Sequence, residues 1–202
     1  MNTLRSLLPR TACAVALAVP LVCLAHTGTD GGGHHTALAA WMAGFVHPFT
    51  GLDHLAAMVA LGVWSALTTR RVWIAPLAFA LSLMVGAVLG ALGLSLPAVE
   101  PMIAASLLVL GLLVASRATL PALVGIAGAS VFAMFHGIAH GRELAGPAQA
   151  YAIVGMVGAT ALLHALGVGL GVAVRDRKLR LLPRVAGVSV ALFGAALLGS
   201  LA

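Results

Sequence analysis

Residues 37–64 read ALAAWMAGFVHPFTGLDHLAAMVALGVW. Two apolar runs of membrane type flank the segment HPFTGLDH, residues 47–54. The flanks have the composition of membrane-crossing helix. The segment between them holds two imidazoles and a carboxylate. Pro48 disfavours helical geometry at His47 and has no amide proton to donate. Gly51 permits backbone conformations that other residues resist. The pattern predicts a helix interrupted between 47 and 52 that restarts near Asp53. At membrane depth such a break is tolerated only when buried in protein or lining a wet cavity.

The whole chain has the same apolar character. Of its 202 residues, 61% are hydrophobic and 8% charged, with a mean hydropathy of +1.10. Soluble domains carry about 25% charged residues. The predicted fold class is therefore all-α, a polytopic transmembrane helix bundle. Six apolar spans are expected near 37–68, 72–95, 99–115, 121–141, 148–173 and 184–201, each long enough for a hydrocarbon core of about 30 Å. The net charge of +6 is no nucleic-acid footprint, because the cations sit in short loops between spans. Arg70 and Arg71, Arg117, and the run Arg175 to Arg184 follow alternate spans. The positive-inside rule places these loops in the cytoplasm and both mature termini on the outer side of a bacterial cytoplasmic membrane.

Residues 1–25 read as a signal peptide. Arg5 and Arg10 supply a positive start, TACAVALAVPLVCL an apolar middle, and Cys23-Leu24-Ala25 a small-residue cleavage site. Val22 is too large to precede a lipidated cysteine. Both cysteines of the chain, Cys13 and Cys23, lie in this segment, so a cleaved protein has neither disulfides nor thiolate metal ligands. Residues 26–36 form a Gly-rich tail, flexible by composition, with His26, His34 and His35. The membrane domain is expected over 37–202.

An ionisable residue inside a span costs roughly 2.5–3.5 kcal/mol on insertion scales and marks a functional position by default. His47, Asp53, His54, Glu100, His136, His140, Glu143 and His164 are such residues. Asp53 has an alternative role as a cap for the restarted helix. In FHGIAHGRE, residues 135–143, His136 and His140 are i and i+4 on one helix face, and Glu143 continues the stripe. Paired imidazoles at this spacing bind metals; the bland alternative is two core histidines satisfied by carbonyls. Glu100 before Pro101 also suits a helix start, and Met58 suits core packing. His164, about 24 Å below a helix start near Ala148, is too deep to join an outer site directly. It reads as a lower station on a path, or as a neutral histidine bridging helices. An imidazole and carboxylate set without thiolate points to a divalent first-row transition ion.

HPFTGLDHLAAMVALGVW (47–64), VEPMIAASLLVLG (99–111), FAMFHGIAHGRE (132–143) and TALLHALGVGLG (160–171) resemble the signatures of the HupE/UreJ family of nickel/cobalt permeases. The resemblance covers nearly the whole mature chain. It implies import of Ni2+, or Co2+, for a nickel enzyme such as hydrogenase or urease. It also implies that His47, Asp53, His54, His136 and His140 handle the metal, with Glu100, Glu143 and His164 following. The larger eight-span nickel/cobalt transporters differ, with His-x4-Asp-His where this chain has five intervening residues and a Pro-Gly break.

The expected partners are a divalent ion and the lipid bilayer, without nucleic acid. A homo-oligomer is compatible with the sequence, and no metallochaperone is named by it. His26, His34 and His35 would collect metal outside. No enzymatic activity and no resident cofactor are expected. The His-Glu-x-x-His of a zinc hydrolase is missing from FHGIAH, and no P-loop is present. An intramembrane metalloenzyme of another kind and a metal-sensing or structural subunit stay open as alternatives.

Overall fold

The computed structural model describes residues 36–201. The expected signal peptide, and His26, His34 and His35 after it, lie outside the described residues. Seven α-helices follow in order: α1 (Ala37–Thr50), α2 (Leu52–Thr68), α3 (Ile74–Ala91), α4 (Val99–Ser116), α5 (Ala122–Glu143), α6 (Gln149–Ala173) and α7 (Leu181–Ser200). There is no strand among the described residues. The helices α3 to α7 are each long and apolar enough to cross a membrane. The protein is a multi-pass helical membrane bundle.

The first expected span is interrupted, as the sequence predicts, and sharply bent. Residues 37–68 do not form one crossing rod; α1 and α2 meet at an angle of 79°. The break is also narrower than expected. His47 and Pro48 stay helical, in the last turn of α1, and only Gly51 is extended, at φ −92° and ψ 112°. Pro48 removes the amide donor that would bond the Gly44 carbonyl, a single bond in the last turn of α1. The Thr50 hydroxyl donates to the His47 carbonyl at 2.7 Å, which occupies an acceptor that the ending helix would leave free. Similarly, α7 starts at Leu181, before Pro183, because a proline in the first turn lacks only a donor that has no helical partner anyway.

Glycines set the packing register. Two G-xxx-G pairs are close contacts: Gly86 and Gly90 of α3 lie on the α5 backbone around Met134 to Ile138, and Gly167 and Gly171 of α6 lie on α2 around Val59 to Ala66. Later residues of α2 meet later residues of α6, so these two helices run in parallel. The α3–α5 seam is parallel by the same test, with Leu83 at Gly137 and Ala87 at Gly141. The α4–α7 seam is antiparallel, with Ala115 at Gly187 and Leu108 at Gly194. Trp64 near the end of α2 meets Ala118 just beyond α4 and Gly125 near the start of α5, so α2, α4 and α6 point one way and α3, α5 and α7 the other. Trp41 and Phe45 lie at Gly155, and Gly44 at Ala152, so α1 crosses the first turns of α6 instead of extending the line of α2.

A methyl at Gly187 would sit 2.6 Å from the Gly111 carbonyl oxygen, whereas one at Gly158 would meet nothing within 4 Å. Gly187→Ala is expected to cost about 1–3 kcal/mol by overpacking. Gly158→Ala is expected to add about 0.5–1 kcal/mol, since alanine loses less backbone entropy in a helix. Thermal unfolding in detergent should therefore move in opposite directions for the two variants.

Candidate metal centre

The bend at Gly51 puts the last turn of α1 and the first turn of α2 against the C-terminal end of α5. Here His47 meets His140 and Glu143. His47 Nε2 lies 2.9 Å from His140 Nδ1 and 3.1 Å from Glu143 Oε2, and His140 Nδ1 lies 3.2 Å from the same carboxylate oxygen. Ligand-type atoms of the three residues all lie within 4.8 Å of one another. Imidazole and carboxylate ligands bound at 2.0–2.1 Å stand about 2.9 Å apart at right angles and about 3.4 Å apart at the tetrahedral angle. The observed triangle is therefore close to one face of a first-row coordination sphere. His47 and Glu143 are partly exposed, while His140 is buried.

A second layer lies immediately inside. The His54 ring packs between the two α5 histidines, with centroids 4.3 Å from His140 and 4.9 Å from His136. The Asp53 Oδ1 accepts both from the His54 backbone amide and from His54 Nδ1, each at 2.9 Å. A carboxylate can only accept, so the Nδ1 proton of a neutral His54 faces Asp53 and the lone pair is on Nε2. The Phe132 carbonyl fixes His136 in the same way, 2.9 Å from its Nδ1. Such outer partners orient metal-binding imidazoles and raise their basicity. The capping expectation for Asp53 holds in part: it takes up one otherwise free amide at the start of α2, although through its neighbour. A methyl at Gly51 would lie 2.9 Å from Asp53 Oδ1 and 3.1 Å from His54 Nδ1, so a larger residue there would press on the Asp53–His54 contact.

The fold thus gathers six of the expected residues: His47, Asp53, His54, His136, His140 and Glu143. Glu100 is not in the triangle. It is exposed, in the first turn of α4, and with Arg142 and Glu143 it lines an open pocket of about 320 Å³ beside the triangle. His164 is in neither layer. Phe79 of α3 separates it from His136, with centroids 5.7 Å from His136 and 5.2 Å from His164. Met58 is part of the apolar core, as the packing reading expects. Sequence reasoning missed Phe79 and the buried Thr160, since one phenylalanine or threonine among many apolar residues gives no local signal.

A profile described as "HupE / UreJ protein" matches residues 14–197. The chain belongs to the HupE/UreJ family. A HupE/UreJ relative, Protein HupE of Rhizobium leguminosarum bv. viciae, is 43% identical over 190 residues, which is 93% of this chain and 96% of that protein. No solved structure matches this HupE/UreJ chain.

Asp53→Asn keeps the size of the side chain but removes the charge that orients His54. If the site takes a metal, the variant should bind Ni2+ about 10–100-fold more weakly, as read by equilibrium dialysis of detergent-purified protein. Wild-type affinity would reduce the Asp53–His54 contact to a helix-start device.

Proposed function

We propose that this chain is a permease that admits Ni2+, and Co2+ as an alternative cargo, across the bacterial cytoplasmic membrane to supply a nickel enzyme such as hydrogenase or urease. The supporting observation is the triangle of His47, His140 and Glu143, drawn from helices far apart in sequence and set at one end of an otherwise apolar bundle. In this reading the triangle faces the outer side and the arginine-rich loops face the cytoplasm. Glu100 and Glu143 attract the cation at the mouth. His47, His140 and Glu143 exchange part of its water for ligands, and His54 and His136, oriented by Asp53 and the Phe132 carbonyl, receive it next. His164 lies further along the path. His26, His34 and His35 collect metal before the mouth.

The energetics require no nucleotide. A divalent ion gains about 4.6 kcal/mol per 100 mV of inside-negative potential. That corresponds to more than about a thousandfold accumulation at equilibrium. The protein's own part is binding and release, with no enzymatic step and no resident cofactor.

The test is entry of radioactive nickel into liposomes under an imposed inside-negative potential. Wild type should transport. Asp53→Asn/His54→Ala and His140→Ala should each reduce flux at least about tenfold, because removing a ligand or its orienting partner costs that much in affinity. Competing cobalt and zinc in the same assay rank the ions. Metal binding without any wild-type flux would replace the permease by a sensor or a subunit of a larger complex.

Acidity gives a second check. Neutral imidazole binds a metal and imidazolium does not, so uptake should weaken as pH falls below about 6. Flat uptake down to about pH 5 would remove histidine as the limiting ligand.

A further inference from the structure

One buried polar stripe of α6 has no part in the two layers described above. Met156, Thr160 and His164 stand at i, i+4 and i+8 on the same face, and all three are buried. The Thr160 hydroxyl and both ring nitrogens of His164 have no protein hydrogen-bond partner. Buried polar atoms of this kind are rare in folded proteins.

Neighbouring helices show the alternative that these side chains forgo. Helical serines and threonines commonly bond back to the carbonyl four residues earlier. Thr68 does so to Trp64, Ser116 to Leu112 and Ser189 to Val185. The Met156 carbonyl stands in the same relation to Thr160 and is not used. His136 takes the carbonyl four residues before it, and His164 does not. Each of the other described histidines has at least one ring nitrogen in a hydrogen bond. The two side chains, one turn apart on one face, are thus both left with free polar atoms.

Their depth is defined by packing. A methyl at Gly62 of α2 would meet the His164 carbonyl. Gly62 is eight residues beyond His54, or about 12 Å further along the helix. The Phe79 ring lies between this level and His136.

We propose that Thr160 and His164 form a second ion-binding station for a partly hydrated divalent cation, with His164 deeper in the bundle than His54 and the Phe79 ring packed against both it and His136. An imidazole nitrogen and a hydroxyl oxygen from successive turns of α6 supply two ligands, and water supplies the rest. Two protein ligands make a weaker site than the triangle. A conducted ion needs sites strong enough to enter and weak enough to leave. The identity of the ion rests on the permease reading; the existence of the station does not.

The experiment is nickel binding to the full chain in detergent, with bound metal counted per chain at saturation. Thr160→Val/His164→Leu should hold one ion fewer than wild type. Thr160→Val alone should weaken the last-filled site about tenfold, and Thr160→Ser, which keeps the hydroxyl, should match wild type. Should the double variant fail to fold, the valine and serine pair decides alone. Wild-type stoichiometry in the double variant, or wild-type binding in Thr160→Val, would overturn the station. Parallel liposome flux separates the two ideas. A Thr160-dependent ion in a protein with no wild-type flux would end the permease reading and leave the station standing.

Discussion

A polar side chain among apolar helices has only other protein groups to bond, and His47, His140 and Glu143 meet that constraint by bonding one another. The rest of the site depends on this contact. It holds the end of α1 against the end of α5, across more than ninety residues of sequence. With that end fixed, the extended Gly51 turns α2 back along α6, and the first turn of α2 carries Asp53 and His54 into the space between the α5 histidines. Without the triangle, the buried His140 ring would lose the His47 and Glu143 contacts that offset its burial. The same groups that satisfy one another at hydrogen-bond distance have the spacing that the proposed metal site requires.

Glycine placement turns this local contact into a site with fixed geometry. His136 and His140 are each followed by a glycine, and Gly137 and Gly141 both press on the α3 backbone between Leu83 and Ala87. Successive residues of a helix are about 100° apart around its axis. The seam that Gly137 and Gly141 make with α3 therefore fixes the rotation of α5, and with it the direction of the two imidazoles. The repeated His-Gly of FHGIAHG specifies a packing face and a ligand face together. This is why the motif carries so much of the reading of the chain.

Much of the arrangement is visible in the sequence because the membrane removes alternatives. Apolar runs must be helices, paired histidines at i and i+4 must share a face, and G-xxx-G pairs must be seams. These rules locate α3 to α7 and bring the two His-rich segments to one end. They do not resolve the 79° bend, because the preference of Pro48 against helix is a local term that the close packing of α1 on α6 overrides. Nor do they separate His136, held by a carbonyl, from His140, held by His47 of another helix and by Glu143 of its own. That difference is set by what α1 brings, and no periodicity within α5 contains it. The partnerless hydroxyl of Thr160 is equally silent in sequence, since its meaning lies in a bond that is not made.

Charge is polarised along the bundle. Of the four described acids, Asp53, Glu100 and Glu143 lie at the triangle end and only Asp176 lies at the other. Apart from Arg142 beside the triangle, the described arginines lie at the opposite end, and two of these are engaged with helix carbonyls. Arg117 donates to the Val174 carbonyl at 3.1 Å, and Arg175 to those of Ala66 and Thr69 at 2.7 and 3.2 Å. Cations at helix C-termini are favoured by the helix dipole, so these guanidinium groups stabilise the ends of α6 and α2 and spend part of their positive field on backbone oxygen. A divalent ion moving from the acidic to the basic end in the proposed orientation still leaves attraction for repulsion. The protein's own field therefore resists the last part of the crossing, and the membrane potential has to overcome it. Under the proposed permease reading, the ligands set which ion is admitted, and the potential sets how far the ion runs.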